Sequence, residues 1–227
     1  MLSIIMAIGT DSPAAGGETV FVAVDHLVYA APDLDSGIDC IEKLTGIRAA
    51  IGGSHPGMGT RNAIIALGPA TYLEIVAPDP AQQDYRGTRI FHVDEIDKPR
   101  LITWAAKSDD IRATAAIRLP DGGTTGPPMT GSRVRPDAVM LTWELTHPGT
   151  ELGEGVVPFF IDWGDTPHPA SAAPAGAVLT GLRAEHPRPN DVLPLLEALG
   201  LDLQVDTGSA PALIAILDTP QGRVELR

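Results

Sequence analysis

The chain lacks most of what would mark it at once as a familiar catalyst. It has one cysteine, Cys40, in 227 residues, which excludes an internal disulfide and a cysteine-rich zinc site. Cys40 stands among Ile38, Ile41 and Leu44, the setting of a buried apolar thiol rather than a nucleophile. Positive charge is scarce. Sixteen Lys and Arg against 29 Asp and Glu leave a formal net charge of −13, and no Lys/Arg stripe interrupts that acidity, so nucleic acid and anionic membrane are not expected partners. Long hydrophobic runs are missing too. The apolar stretch at residues 1–10 has no basic n-region and stops well short of the about 20 residues a spanning helix needs. Neither a signal peptide nor a membrane anchor is expected, and the expected location is the cytoplasm. The chain also has no Gly-x-Ser-x-Gly elbow, no His-Glu-x-x-His pair and no dinucleotide fingerprint, which weighs against hydrolase, zinc-protease and nicotinamide chemistry.

What is plentiful is glycine and proline, 24 and 21 residues, which favours short elements joined by tight turns. Hydrophobic residues make up 44% and charged ones 20%, the balance of a globular chain long enough to bury a sizeable core. Residues 1–21 read as an extension. A strand is predicted over 22–30, with Val24, His26 and Val28 on one face and Asp25, Leu27 and Tyr29 on the other. Asp35 or Ser36 then caps a helix carrying Ile38, Ile41 and Leu44, which Gly46 stops. Strands follow over 48–52, 62–67 and 71–76. The order strand, helix, three strands is β-α-β-β-β.

That order recurs. A strand over 101–107 and a helix capped by Asp109 or Asp110 are followed by strands over 129–134, 138–146 and 157–163. A third round has a strand over 177–185, a helix over 190–199 ending at Gly200, and strands near Leu201, Leu213 and Val224. "IEKLTGI" and "LLEALGL" end their helices alike, and "YLEIVAPDP" resembles "FIDWGDTPHP". Such parallels at matching places indicate an internal repeat. The modules span 22–80, 100–165 and 176–227, with 166–176 the best linker candidate.

"DHLVYAAPDLDSGIDCIEKLTGI", "GGSHPGMGTRNAIIALGPATYLEIVAPDP", "SRVRPDAVMLTWEL" and "PFFIDWGDTPHPA" resemble the glyoxalase-like domain branch of the vicinal oxygen chelate (glyoxalase/bleomycin resistance/dioxygenase) superfamily. The resemblance covers about residues 24–170. It implies an α+β fold in which paired βαβββ modules form an open, curved, eight-stranded mixed sheet with helices on the outside. It also implies a divalent metal (Zn, Mn, Fe or Ni) held in the cup and a small oxygen-bearing substrate. By position, His26 matches the first-strand ligand and Glu74 the fourth-strand ligand of module one, and Asp162 takes the fourth-strand place of module two. The remaining place falls near Thr103 or Trp104, which offer no strong ligand.

Around this centre the sequence offers further candidates. The turn "GGSHPGMGTRN" is glycine-rich, yet no Gly-Lys-Ser/Thr ends it and no helix follows, so it is no phosphate loop. It places His55, Arg61 and Asn62 near the cup mouth, with His55 or Glu74 to move a proton and Arg61 to orient the substrate by clamping a carboxylate through its planar fork. Arg133 and Arg135 share one strand face, either solvated or an anion-binding wall. Trp104 and Trp163 stand on strands of the second half of the cup, for core packing or ligand stacking. His147 and His168 read as loop residues. Two functions stay open: a metal-assisted lyase, isomerase or dioxygenase, and a metal-free protein that sequesters a small molecule. A homodimer is a further expectation.

Overall fold

The computed structural model describes residues 23–150 and 152–227; the expected extension over 1–21 lies outside them. Strand β1 (Val24–Ala30) leads into helix α1 (Leu34–Thr45). The helix begins one or two residues before the caps read from sequence, because Asp33 takes that role. Its carboxylate accepts the Ser36 N–H at 2.8 Å, satisfying one of the orphan donors of the first turn. It ends where Gly46, at φ 76°, turns left-handed and donates to the Glu42 carbonyl. Leu34, Ile38 and Ile41 recur at helical spacing and are buried against the sheet with Leu27, Ile65, Leu73 and Ile75.

Three strands follow, β2 (Ala50–His55), β3 (Thr60–Gly68) and β4 (Thr71–Pro78). The second round has β5 (Arg100–Lys107), helix α2 (Ile111–Ala115) capped by Asp110, β6 (Pro128–Val134), β7 (Met140–Thr146) and β8 (Phe159–Asp162). These eight strands form one curved sheet in the order β2-β3-β4-β1-β5-β8-β7-β6. In each half the fourth strand runs parallel to the first, and the halves join where β1 pairs antiparallel with β5. The two edges of the sheet approach each other: the guanidinium of Arg133 on β6 donates to the Gly52 carbonyl on β2. This is the mixed, cup-shaped α+β architecture that the family resemblance implies.

The third round, β9 (Val178–His186), α3 (Pro189–Ala198), β10 (Val205–Thr207), β11 (Ala212–Thr219) and β12 (Gly222–Leu226), keeps the order of elements along the chain. Its wiring differs. The first strand lies between the second and third, in the order β10-β9-β11-β12, instead of beside the fourth. This smaller sheet packs on the outside of the cup through a common apolar core that joins Leu182, Leu196, Leu213 and Leu217 to Leu27, Trp104 and α1. The predicted linker is no loose spacer. Ala170 is buried with Ile64, Ala66 and Tyr72, and the Pro174 carbonyl accepts the Ala66 N–H at 2.8 Å. No helix among the described residues is long and apolar enough to cross a membrane.

Candidate functional site

A narrow pocket, with a cavity of about 50 Å³, opens on the concave face of the eight-stranded sheet. Its polar wall comes from the first half of the chain. Period-two alternation turns Tyr72 and Glu74 of β4 and Asn62 of β3 inward, beside His26 of β1 and His55 of β2. His26 is 3% and Glu74 7% exposed. The Nε2 atoms of His26 and His55 lie 3.8 and 3.6 Å from the two carboxylate oxygens of Glu74, and Asn62 donates to one of those oxygens at 2.6 Å. Two imidazoles and an amide therefore converge on one buried carboxylate.

Each imidazole is held from behind. The ring nitrogen Nδ1 of His55 lies 2.9 Å from the Thr60 hydroxyl. Nδ1 of His26 lies 2.8 Å from Asp25, leaving Nε2 toward the pocket, and the ring stacks on Tyr72 at 4.6 Å. Asp25 is 1% exposed and also accepts from the Trp163 indole and pairs with Nε2 of His168 at 3.1 Å. Burial by itself would raise this carboxyl, but the hydrogen bonds to His168 and His26, and their charges, outweigh it and hold Asp25 far below the ordinary carboxylate range. Burial has the opposite sense at His55. It pulls the imidazole below its ordinary value; Arg133 and His26 reinforce that and Glu74 resists it, so His55 is neutral at pH 7.

Arg133 closes the polar side. It is 3% exposed, and the Gly52 carbonyl is its hydrogen-bond acceptor among the described residues. The rest of the lining is apolar: Trp143, Trp163, Phe91, Phe159, Ile161 and Met58. Phe91 holds a left-handed backbone, φ 59°, in the turn Ile90–Glu95, a conformation that costs a bulky residue free energy and marks a constrained wall. Beyond Phe91, Pro148 and Phe159 the pocket adjoins a wider groove bordered by Arg100, Glu154 and Arg227.

The structure thus brings together His26, His55, Asn62, Glu74, Arg133 and Trp163, and separates three other residues expected here. Asp162 lies on the opposite face of β8 from Ile161 and accepts the Gly164 N–H at 2.7 Å. Arg61 alternates with Asn62 and so points outward, where its charge acts on Asp33 and Asp79. Trp104 is wholly buried in the outer core and donates to the Val156 carbonyl at 2.9 Å; it packs and does not stack on a ligand. Sequence reasoning missed Asp25, Trp143 and His168. The dipeptide Asp25–His26 was the available signal for the first.

The donor set does not fit the four-ligand metal centre that the resemblance implies. On the second half of the cup the inward places at the matching strands are Thr103, Ala105, Phe159 and Ile161, none of them a strong ligand. Among the described residues no group of three or more His, Cys, Asp or Glu is arranged to hold a metal.

Residues 24–200 match the family described as Glyoxalase-like domain. The chain belongs to the glyoxalase-like domain family. Among solved structures, a hypothetical protein from Staphylococcus aureus is similar at 14% identity and a TM-score of 0.58, over 83% of this chain and 87% of that one. That likeness extends to the fold. A methylmalonyl-CoA epimerase from Mycobacterium tuberculosis matches at 20% identity and a TM-score of 0.41, over 63% of this chain and 88% of the epimerase. No curated protein matches. Within the glyoxalase-like frame, the polar side of the site comes from the first module, and Arg133, Trp143, Phe159 and Trp163 come from the second.

Proposed function

We propose that this glyoxalase-like protein is an isomerase- or lyase-type enzyme that moves a proton on a small carbonyl compound, with Glu74 as the base. The observation that carries the reading is one buried carboxylate, oriented by Asn62 at 2.6 Å and facing a pocket that also holds the Arg133 guanidinium. A carbon acid next to a carbonyl needs two things from a protein: a base at the C–H and a positive or hydrogen-bonding group where the oxyanion forms. Here the C–H bond breaks, its proton passes to Glu74, and its electron pair becomes the C=C bond of an enolate. The displaced carbonyl pair settles on the oxygen that Arg133 holds. Return of the proton to the other face of the same carbon completes an epimerisation; loss of a leaving group from the carbon next to it completes an elimination. His55, neutral at pH 7, and His26, fixed by Asp25, stand 3.6 and 3.8 Å from Glu74 and relay the proton during turnover.

The test uses deuterium. Incubated in D2O with 2-oxobutanoate or 4-phenyl-2-oxobutanoate, the wild type exchanges the C3 protons faster than buffer. Glu74→Gln binds the same compound and loses the exchange by about 100-fold or more. A metal-free sequestering role has the apolar wall of Trp143, Trp163, Phe91 and Phe159 in its favour. Saturable binding with no exchange in the wild type supports that role and contradicts ours.

A further inference from the structure

The pocket that holds Glu74 also has an aromatic lining, and its construction is specific. Trp143 on β7 stands directly across from Gly131 on β6. A side chain built at Gly131 would place its Cβ 2.3 Å from the indole, so the ring lies over bare backbone that no other residue would leave free. Trp163 meets Trp143 at 5.3 Å between ring centres, tilted by 54°, and its own indole N–H is tied to Asp25. Both rings are partly exposed and both line the pocket. Two residues along β6 from Gly131, on the same face, Arg133 presents its guanidinium with one protein acceptor, the Gly52 carbonyl. A guanidinium carries five N–H donors in a planar fork that matches two oxygens side by side. Indole surface and fork are therefore neighbours on one strand.

We infer that the cup takes a 2-oxo acid bearing a flat aromatic group. The carboxylate and keto oxygens lie on Arg133, the ring lies against Trp143 and Trp163, and C3 faces Glu74. This rests on the proposed roles of Glu74 and Arg133. An aliphatic acid would leave the indole faces wet and forgo most of the apolar burial. A neutral aromatic would leave most of the N–H donors of a nearly buried guanidinium without an acceptor. A single guanidinium beside the Glu74 carboxylate also disfavours a doubly charged phosphate.

Binding is measured on the full chain by quenching of tryptophan emission and by thermal shift. The probes are 4-phenyl-2-oxobutanoate, its methyl ester and 2-oxobutanoate. Trp104 is sealed in the outer core, so quenching reports Trp143 and Trp163. The phenyl acid binds at least about tenfold more tightly than either control. Gly131→Ala, which drives the Trp143 ring toward the cup, removes the preference for the phenyl acid over 2-oxobutanoate. Should that variant fail to fold, Trp143→Leu provides the same comparison. Equal affinity for the ester, equal affinity for 2-oxobutanoate, no saturable response to the phenyl acid, or an unchanged preference in the folded variant overturns the inference. Tight, selective binding without C3 exchange upholds it while removing the proton-transfer reading.

Discussion

Asp25 is the residue on which the order of the site depends most, since it ties His26, Trp163 and His168 together from a fully buried position. Its folded carboxyl is far below the ordinary range, so the stability it contributes is present above pH about 4 and is lost as acid protonates it. Asp25→Asn should lower stability near neutrality by on the order of 3 kcal/mol, and the gap in melting temperature to wild type should narrow once the pH falls below about 4. A gap that stays constant down to acid unfolding contradicts the assignment. His55 has the reverse chemistry but the same sign of pH dependence. The folded imidazole resists protonation because it is buried, whereas the unfolded one gains a proton near pH 6.5, so stability falls as pH drops below about 6.5. In melts between pH 7 and 5 the slope of melting temperature against pH should be shallower for His55→Gln. Asp25 was hidden in the sequence by strict alternation, which put it opposite His26. A register shift between Val24 and His26 in the pairing with β5 breaks that alternation. Bulges re-aim side chains in this way beside functional sites.

At the scale of elements the same parity rule succeeds and fails in instructive places. The helix α1, the strands β3 to β8 and the capping role of Asp110 follow from apolar spacing and turn residues, and Glu74 and Asn62 face inward as alternation requires. Asp162 does not, because matching "YLEIVAPDP" to "FIDWGDTPHP" aligned it with Glu74, while Phe159 and Ile161 are the inward residues of β8. A one-residue offset reverses the face of every side chain on a strand. Arg61 fell to the same rule beside Asn62. Two glycines decide packing between elements. Gly37 lies in α1, where alanine would ordinarily gain about 1 kcal/mol. Here its Cβ would stand 2.6 Å from Ile75 and 2.8 Å from Ala31, so the overpacking cost of about 1–3 kcal/mol prevails and Gly37→Ala should lower the melting temperature. A rise would show that α1 can slide off β4. Gly52→Ala places a methyl carbon 2.2 Å from Oδ1 of Asn62. It should displace the amide that orients Glu74 and slow C3 exchange, and the accompanying overpacking should lower the melting temperature as well. Gly37→Ala is the control, overpacked away from the pocket: its melting temperature should fall while its exchange persists. An unchanged exchange rate would remove Asn62 from the mechanism.

For the whole molecule, the outer face of the cup and the small sheet share one apolar core, an arrangement that element order could suggest but not specify. The third round was legible as strand, helix and strands, yet its pairing was not, because β9 finds β10 and β11 through long-range packing with no local signature. A shared core implies one cooperative unfolding step. Trp104→Ala, at the centre of that core, should cost about 3–5 kcal/mol and lower a single transition seen alike by backbone and aromatic circular dichroism. Two separated transitions would show that the sheets fold independently.

The central claim is that Glu74 moves a proton on a carbonyl compound with help from Arg133 and the two histidines alone. The most direct measurement is deuterium incorporation at C3 of 4-phenyl-2-oxobutanoate by the untagged full chain, before and after exhaustive chelation with elemental analysis of both samples. The account predicts the same rate in both, abolished in each by Glu74→Gln. Exchange that vanishes on chelation and returns with an added divalent ion would contradict it.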